Sequence, residues 1–493
     1  MVSRFGLLKV TMKKFAKEIV DTLTAQKVEY GDVRVVEKWK ESIGVKNGKV
    51  DEVFSSDNIG FGVRVMVDGA WGFAASAQIK EKGEGERVVS EAIRVAQASG
   101  LVRGERVRLS SIEPVTATYQ SPYQKDPFKV PLDQKIHLLL QAVEAMKRVG
   151  GVNVASGSLF FLRTSKIFAS TEGALIDQEI IESGGGIQAR AVKDGEVQTR
   201  SYPFGHGGNY ATRGYELIED LKLVEEAPRV AEEAVKLLTA KECPSEITTV
   251  ILDSDQMALQ VHESIGHPVE LDRVLGTEAS YAGTSFVVLE KLGNFRYGSP
   301  LVNVTADATC EGGLGTFGFD DEGVPAQRVP IIEDGIFKGY LSSRETAPTI
   351  GRSSSGAMRA EGWNRIPLIR MTNINLEPGE WRLDDLIANT DEGIFLSTNR
   401  SWSIDDRRLN FQFGCEVAYR IHKGRLGRLY KNSLYTGITP QFWNSCDAIC
   451  NRGEWRLWGV SNCGKGEPGQ TAHVGHGTSP ARFRNVQVGI RKR

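Results

Sequence analysis

The chain has 493 residues, 40% of them hydrophobic and 25% charged, with a formal net charge of -1. That length exceeds what one hydrophobic core organises, so two or three domains are expected. The balanced charge offers no basic excess for a nucleic-acid partner, and no apolar run approaches the ~20 residues of a bilayer-spanning helix.

Near the N-terminus, Lys9, Lys13, Lys14 and Lys17 interleave with Val10, Phe15, Ile19 and Leu23. This is the spacing of an amphipathic helix, not the unbroken apolar stretch of a signal peptide, so a cytoplasmic protein is expected. The pattern strengthens at Met12 and predicts a helix over residues 13–27, with residues 1–11 either an over-called start or a loose leader. Val- and Ile-rich runs follow, punctuated by Asn47-Gly48 and Asp68-Gly69, which predict hairpins. Val88, Val89, Ala92, Ile93 and Ala96 recur at helical spacing and place a helix near residues 84–99. Pro114, Pro122, Pro127 and Pro131 predict an irregular, extended connection over residues 110–131. A helix at about 132–148, hairpins at Glu172-Gly173 and Asp194-Gly195, and a helix at roughly 213–240 complete this half.

From Thr248 onward the texture changes. Ile247, Thr248, Thr249, Val250 and Ile251 are all β-branched and read as a strand. Asp253, Ser254 and Asp255 then supply a cap and acidic first turn for one short helix. Beyond it, strand-like segments are broken by Asp334-Gly335, Glu392-Gly393 and Lys423-Gly424. The expected fold class is α+β. Residues 1–240 form an N-terminal α/β half with mixed or antiparallel sheets and helices, with a subdomain break at 110–131. Residues 241–493 form a mostly antiparallel β sandwich or distorted barrel carrying that short helix. The six cysteines are too dispersed for a disulfide framework, and Cys446 and Cys450 read as buried neighbours.

The short helix contains His262, Glu263 and His267. Histidines five apart on an ideal helix diverge by about 140°, so a regular helix could not deliver both to one cation. Gly266 permits a distorted backbone, and Pro268 disfavours the α conformation at His267, so a bulge or unwound turn is expected there. Two imidazoles suit zinc, and a catalytic zinc site has three protein ligands plus a water. Candidates for the third are Cys463 in the glycine-rich Asn462-Cys463-Gly464-Lys465-Gly466 stretch, then His473 and His476, with Glu270 and Asp272 weaker. His473 and His476 read more readily as surface or turn histidines. Glu263, adjacent to a ligand, is the natural general base for a metal-activated water.

Three other patterns carry less. Gly313 to Gly318 fits a dinucleotide-binding glycine pattern, but Asp320, Asp321, Pro325 and Pro330 follow where a helix would have to open. Asp320, Asp321 and Glu322 read as a solvated turn. Ser353, Ser354 and Ser355 read as a polar loop without nucleophile-elbow spacing.

At His262-Glu263-Ser264-Ile265-Gly266-His267 the sequence resembles the TldD/PmbA protease family. The resemblance extends to Phe319-Asp320-Asp321-Glu322-Gly323-Val324-Pro325, to Arg370-Met371-Thr372-Asn373 as a strand, and to Cys463-Gly464-Lys465-Gly466 with Gln470. In the N-terminal half it includes Gly60 to Phe73, with Arg64 and Trp71-Gly72-Phe73. It implies His262, His267 and Cys463 as zinc ligands and Glu263 as general base. It also implies a catalytic-type subunit acting on short or unfolded peptides in an enclosed site. The partner implied is a second copy or a paralogue lacking the metal motif.

Overall fold

The computed structural model describes residues 4–79, 81–102 and 104–489. The chain opens with α1 (Arg4–Ala25), β1 (Tyr30–Lys46), β2 (Lys49–Val67), β3 (Ala70–Ser76) and α2 (Glu84–Gly100). It continues through β4 (Thr116–Gln120), α3 (Leu132–Lys147), β5 (Val152–Ser170), β6 (Leu175–Lys193), β7 (Glu196–Tyr202) and β8 (Asn209–Ala211). Two helices, α4 (Glu216–Asp220) and α5 (Leu223–Thr239), end the half. All eight strands belong to one sheet, ordered β3-β2-β1-β5-β6-β4, with β7 and β8 both on β6.

One face of this sheet carries two apolar clusters, separated midway along β1 and β5 by Glu37, Trp39, Arg163 and Ser165 at the same parity. Val33 and Val35 of β1 and Ile167 and Ala169 of β5 pack under α1 and α2. Ile43 and Val45, with Ala155, Leu159 and Phe161, pack under α3 and α5. These residues share one parity along their strands and therefore one face, while the alternate positions face the C-terminal half. Arg34 donates to the Arg365 carbonyl at 2.5 Å, Lys38 donates to that of Glu361, and Lys166 lies 2.5 Å from Asp321.

Several expectations are revised here. α1 begins at Arg4, not 13, so residues 4–11 are helix, while residues 1–3 lie outside the described residues. Residues 110–131 are not wholly irregular, because β4 pairs in parallel with β6 and Pro127–Lys129 forms a short 3-10 turn. Prolines at 114 and 122 bracket that strand without entering it. The expected helix at 213–240 is divided at Lys222, whose φ of 49° interrupts α4 and α5.

The C-terminal half is built on β9 (Glu246–Leu252), α6 (Ser254–Val261), β10 (Glu392–Ile404), β11 (Asn410–His422), β12 (Ser433–Ile438), β13 (Arg456–Lys465), β14 (Gln470–Thr478) and β15 (Ala481–Val488). Five strands close into a barrel in the order β10-β9-β15-β12-β11, with β11 returning to β10. β13 and β14 form a separate hairpin, and residues 304–376 contribute a small four-stranded sheet. Turns at Asn47-Gly48, Asp68-Gly69, Asp194-Gly195, Asp334-Gly335 and Lys423-Gly424 each hold two successive positive φ angles, as two-residue hairpin turns require. Glu392-Gly393 is not a turn, because both residues are paired in β10 opposite His422 and Ile421. Residues 370–372 are not strand either; pairing resumes with Asn373, which bridges to Gly475.

The acidic turn is the largest revision. Asp320, Asp321 and Glu322 are 0%, 3% and 1% exposed. Asp320 accepts from the Glu322 and Val324 amides at 2.9 Å, Asp321 meets Lys166, and Glu322 accepts from the Arg344 amide at 2.7 Å and from Arg64 at 3.3 Å. The turn fastens the polar face of the N-terminal sheet onto the C-terminal half. Ser354 and Ser355 are likewise buried, exchanging hydrogen bonds with Ser342.

Candidate metal centre

β9 delivers the chain to the centre. Asp253 caps α6, its carboxylate accepting from the Ser254 amide at 2.7 Å. The helix runs regularly to Val261 and then widens into a π turn over His262–Gly266, closed by the His267 amide on the His262 carbonyl. An i→i+5 turn brings residues five apart into the relation that residues four apart have in an α-helix. The rings of His262 and His267 accordingly meet with centroids 4.9 Å apart. The Ser264 carbonyl accepts from the Tyr297 hydroxyl, and the Ser264 hydroxyl accepts from the Trp443 indole at 2.9 Å.

The distortion has a different cause from the one the sequence suggested. His267 keeps α-region angles (φ -65°, ψ -41°) despite preceding Pro268. Gly266 also has helical angles (φ -57°, ψ -57°), which any residue adopts. What glycine provides there is space, since a Cβ would lie 2.3 Å from Met371 Sδ and the fully buried Met371 side chain would have to shift.

Cys463 arrives on β13, in a paired hairpin and not in a loose glycine-rich loop, at an irregularity in register between Val460 and Cys463. The hairpin is tied to the helix segment at several points. Trp458 donates to Ser254 Oγ at 3.0 Å, Thr478 donates to the Ser254 carbonyl at 2.7 Å, and Arg370 donates to the carbonyls of Cys463 and Gln470. Lys465, fully buried, bonds Asp272 at 2.7 Å and the Ile369 carbonyl at 2.8 Å.

These supports bring one ligand atom each from His262, His267 and Cys463 within 4.8 Å of one another. Cys463 Sγ lies 3.8 Å from His267 Nε2. A tetrahedral zinc with ordinary Zn–N and Zn–S bonds needs about 3.6 Å between such donors. The residues present thus fit a zinc-sized ion, and among the described residues this is the one His/Cys/Asp/Glu group with that geometry.

The remaining candidates act behind the donors. His476, completely buried, places Nε2 2.8 Å from His262 Nδ1, and its own Nδ1 lies 3.3 Å from the Ile374 carbonyl. A carbonyl only accepts, so His476 carries its proton on Nδ1, accepts from His262 Nδ1–H, and leaves the His262 Nε2 lone pair free. Glu270 Oε2 lies 3.0 Å from His267 Nδ1 and fixes the same tautomer there. Asp272 serves Lys465, and His473 pairs with Glu182 at 2.5 Å. Neither His473 nor His476 is a surface or turn histidine as expected. The signal for His476 was its place three residues after His473 on an alternating strand, which sends the two rings to different faces.

Burial pushes both His262 and His267 below the ordinary histidine range, with neighbouring Glu270 resisting the shift at each. Burial opposes ionisation of Cys463, but adjacent His267 and Arg370 outweigh it and lower the thiol. Burial also opposes ionisation of Glu270, yet Lys465, His267 and Arg273 hold it well below the usual carboxylate range. Neutral imidazoles, a readily formed thiolate and an ionised supporting carboxylate are the states that metal binding needs. Glu263, 6% exposed, places Oε2 3.3 Å from Arg408 Nη1. Sequence reasoning missed Arg408, which lies 145 positions away in a loop with no motif.

A buried set of two imidazoles and a thiolate, each imidazole oriented through its second nitrogen, is the donor arrangement of a metalloprotein. Three family models match: the PmbA/TldA metallopeptidase domain 1 over residues 31–96, the central domain over 125–242 and the C-terminal domain over 245–489. The chain belongs to this PmbA/TldD metallopeptidase family. It is 33% identical to a metalloprotease of Methanocaldococcus jannaschii, over 91% of this chain and 94% of that one. A zinc metalloprotease TldD homolog of Saccharolobus solfataricus is 28% identical over 49% of this chain and 51% of its own. In fold, the crystal structure of Thermococcus kodakarensis TldE superposes with a TM-score of 0.70 at 16% identity, covering 96% of this chain and 100% of that one.

Proposed function

We propose that this chain is a zinc-dependent peptidase in which His262, His267 and Cys463 hold the ion and Glu263 is the general base. The observation that carries this reading is the convergence of three buried donors beside a carboxylate of the same helical turn. Zinc is favoured by the donor chemistry and by the name of the Saccharolobus relative. When bound it would supply Lewis acidity towards the scissile carbonyl and acidify the attacking water.

The protein's own groups move the protons. As the water oxygen bonds to the carbonyl carbon, the C=O π pair passes to oxygen and Glu263 takes the water proton. Glu263 then returns that proton to the amide nitrogen as the C–N bond breaks, giving a carboxylic acid and an amine. His476 and Glu270 keep the two imidazoles aimed throughout. A structural zinc would call for a fourth protein ligand, and the described cluster offers three.

Burial of every functional side chain suits short or unfolded peptides, which can thread to an enclosed site where a folded protein cannot. We assign the protein to the cytoplasm and its partner to a second copy or a paralogue without the metal motif. The test is Glu263→Gln, which removes the base but no donor. Zinc content should stay unchanged while peptide cleavage falls by about 10²–10⁴-fold. Undiminished cleavage would end the assignment.

A further inference from the structure

Attack on an amide moves one unit of negative charge from Glu263, which becomes protonated, to the former carbonyl oxygen. A cation able to serve both positions would stabilise the tetrahedral adduct more than the bound peptide. Four arginines stand near the centre, and three are committed elsewhere. Arg273 is 1% exposed, bonded to Glu270 and to the Ala282 carbonyl at 2.7 Å. Arg359 donates to the carbonyls of His473 and Met371, and Arg370 to those of Cys463 and Gln470.

Arg408 differs. Its side chain is 16% exposed, and its contacts are long, at 3.3 Å to Glu263 Oε2 and 3.4 Å to the Ala282 carbonyl. Its Nε has no hydrogen-bond partner among the described residues, which is also true of Arg359 and Arg370. What sets Arg408 apart is therefore its partial exposure and its two long contacts. Its backbone holds a φ of 61°, a conformation that persists in a non-glycine residue where the surroundings enforce it. Here they do. The Arg408 amide bonds the Asp405 carbonyl at 2.8 Å, Asp405 accepts from the Leu409 and Asn410 amides, and the Arg408 carbonyl accepts from Thr439 Oγ1 at 2.9 Å. The neighbouring carbonyls of Asp406 and Arg407 accept from the Thr284 and Phe286 amides at 2.9 Å. A rigid, strained turn thus presents a weakly committed guanidinium to the general base.

Resting on the peptidase reading above, we propose that Arg408 is a catalytic residue. Its guanidinium holds the Glu263 carboxylate before attack and stabilises the oxyanion of the tetrahedral adduct as charge leaves Glu263. Serving one oxygen and then the other requires the long, incomplete hydrogen bonding observed.

The test compares two probes on the full-length, zinc-loaded protein by calorimetry: a phosphinic peptide, which mimics the charged tetrahedral adduct, and an N-methylated peptide amide of the same sequence, which mimics the substrate. Arg408→Gln should weaken phosphinic-peptide binding by about 10²-fold and lower kcat by a similar factor, as removal of one oxyanion donor does. Binding of the amide, KM and zinc content should change by less than about threefold, the size of a change that leaves uniform binding intact. Arg408→Lys keeps the charge but not the fork, and should lie between the two. Equal weakening of both probes, or of neither, overturns the proposal. Should Arg408→Gln not fold, Arg408→Lys still decides it, because selective loss of phosphinic-peptide affinity supports the role and its absence refutes it. Wild-type protein that cleaves no peptide and does not prefer the phosphinic probe overturns the peptidase reading itself. Wild-type cleavage with undiminished Arg408→Gln activity overturns Arg408 alone.

Discussion

His476→Phe isolates the support of one donor from the donor itself. The ring volume is nearly retained, but the acceptor 2.8 Å from His262 Nδ1 disappears. Because His262 is 4% exposed, no water replaces it freely, and the imidazole can relieve its orphaned Nδ1–H by moving the proton to Nε2, the atom required for the ion. Loss of such a supporting contact costs about 10–100-fold in metal affinity, or roughly 1.4–2.7 kcal/mol. Competition between the metal-free protein and a chromophoric zinc chelator measures this directly. His473→Phe is the control, being on the same strand but bonded to Glu182. Zinc affinity in His476→Phe equal to wild type, or matched by His473→Phe, refutes the tautomer argument.

Three further outcomes are expected. Gly266→Ala should destabilise by about 1–3 kcal/mol in urea unfolding through collision with Met371, and Met371→Ala in the same chain should recover part of it; a gain in stability would show that space is not what glycine provides. Asp321→Asn removes the carboxylate that Lys166 meets and leaves Arg34 with Asp32 alone in a buried setting, and should cost about 3–5 kcal/mol, less when combined with Lys166→Met. Burial, reinforced by nearby His262, lowers His206 from 6.5 to about 4. Its unfolded form therefore gains a proton first as pH falls. The associated stability is complete above about pH 6.5 and lost as pH drops towards 4, by up to about 3 kcal/mol. Denaturation of metal-free protein across that range should show a shallower loss for His206→Gln than for wild type.

What could be read in advance was local chemistry. Asn47-Gly48 and the Asp-Gly pairs specify their turns through residues two positions long, and the β-branched run at 247–251 specifies a strand. His262 and His267 were legible because two candidate ligands and a candidate base fall within six residues. The buried acidic turn was not legible, since Asp320 to Glu322 look the same whether facing water or facing Arg64 and Lys166, which lie more than 150 positions away. The same limit hid Arg408 and the part played by His476, each defined by a contact that only folding creates. The proline-rich stretch misled because prolines mark where a strand stops more firmly than they forbid one between them.

A wide helical turn behaves as a helix that has absorbed one extra residue without changing which side chains meet across it. The familiar four-residue separation of paired imidazoles and the five-residue separation found here are therefore two spellings of one donor geometry, related by a single insertion whose strain the carbonyl ladder takes up. Inspecting helices for pairs at either interval, with a bulky neighbour pressed against the glycine, is a physically grounded way to find centres of this kind that a fixed pattern passes over.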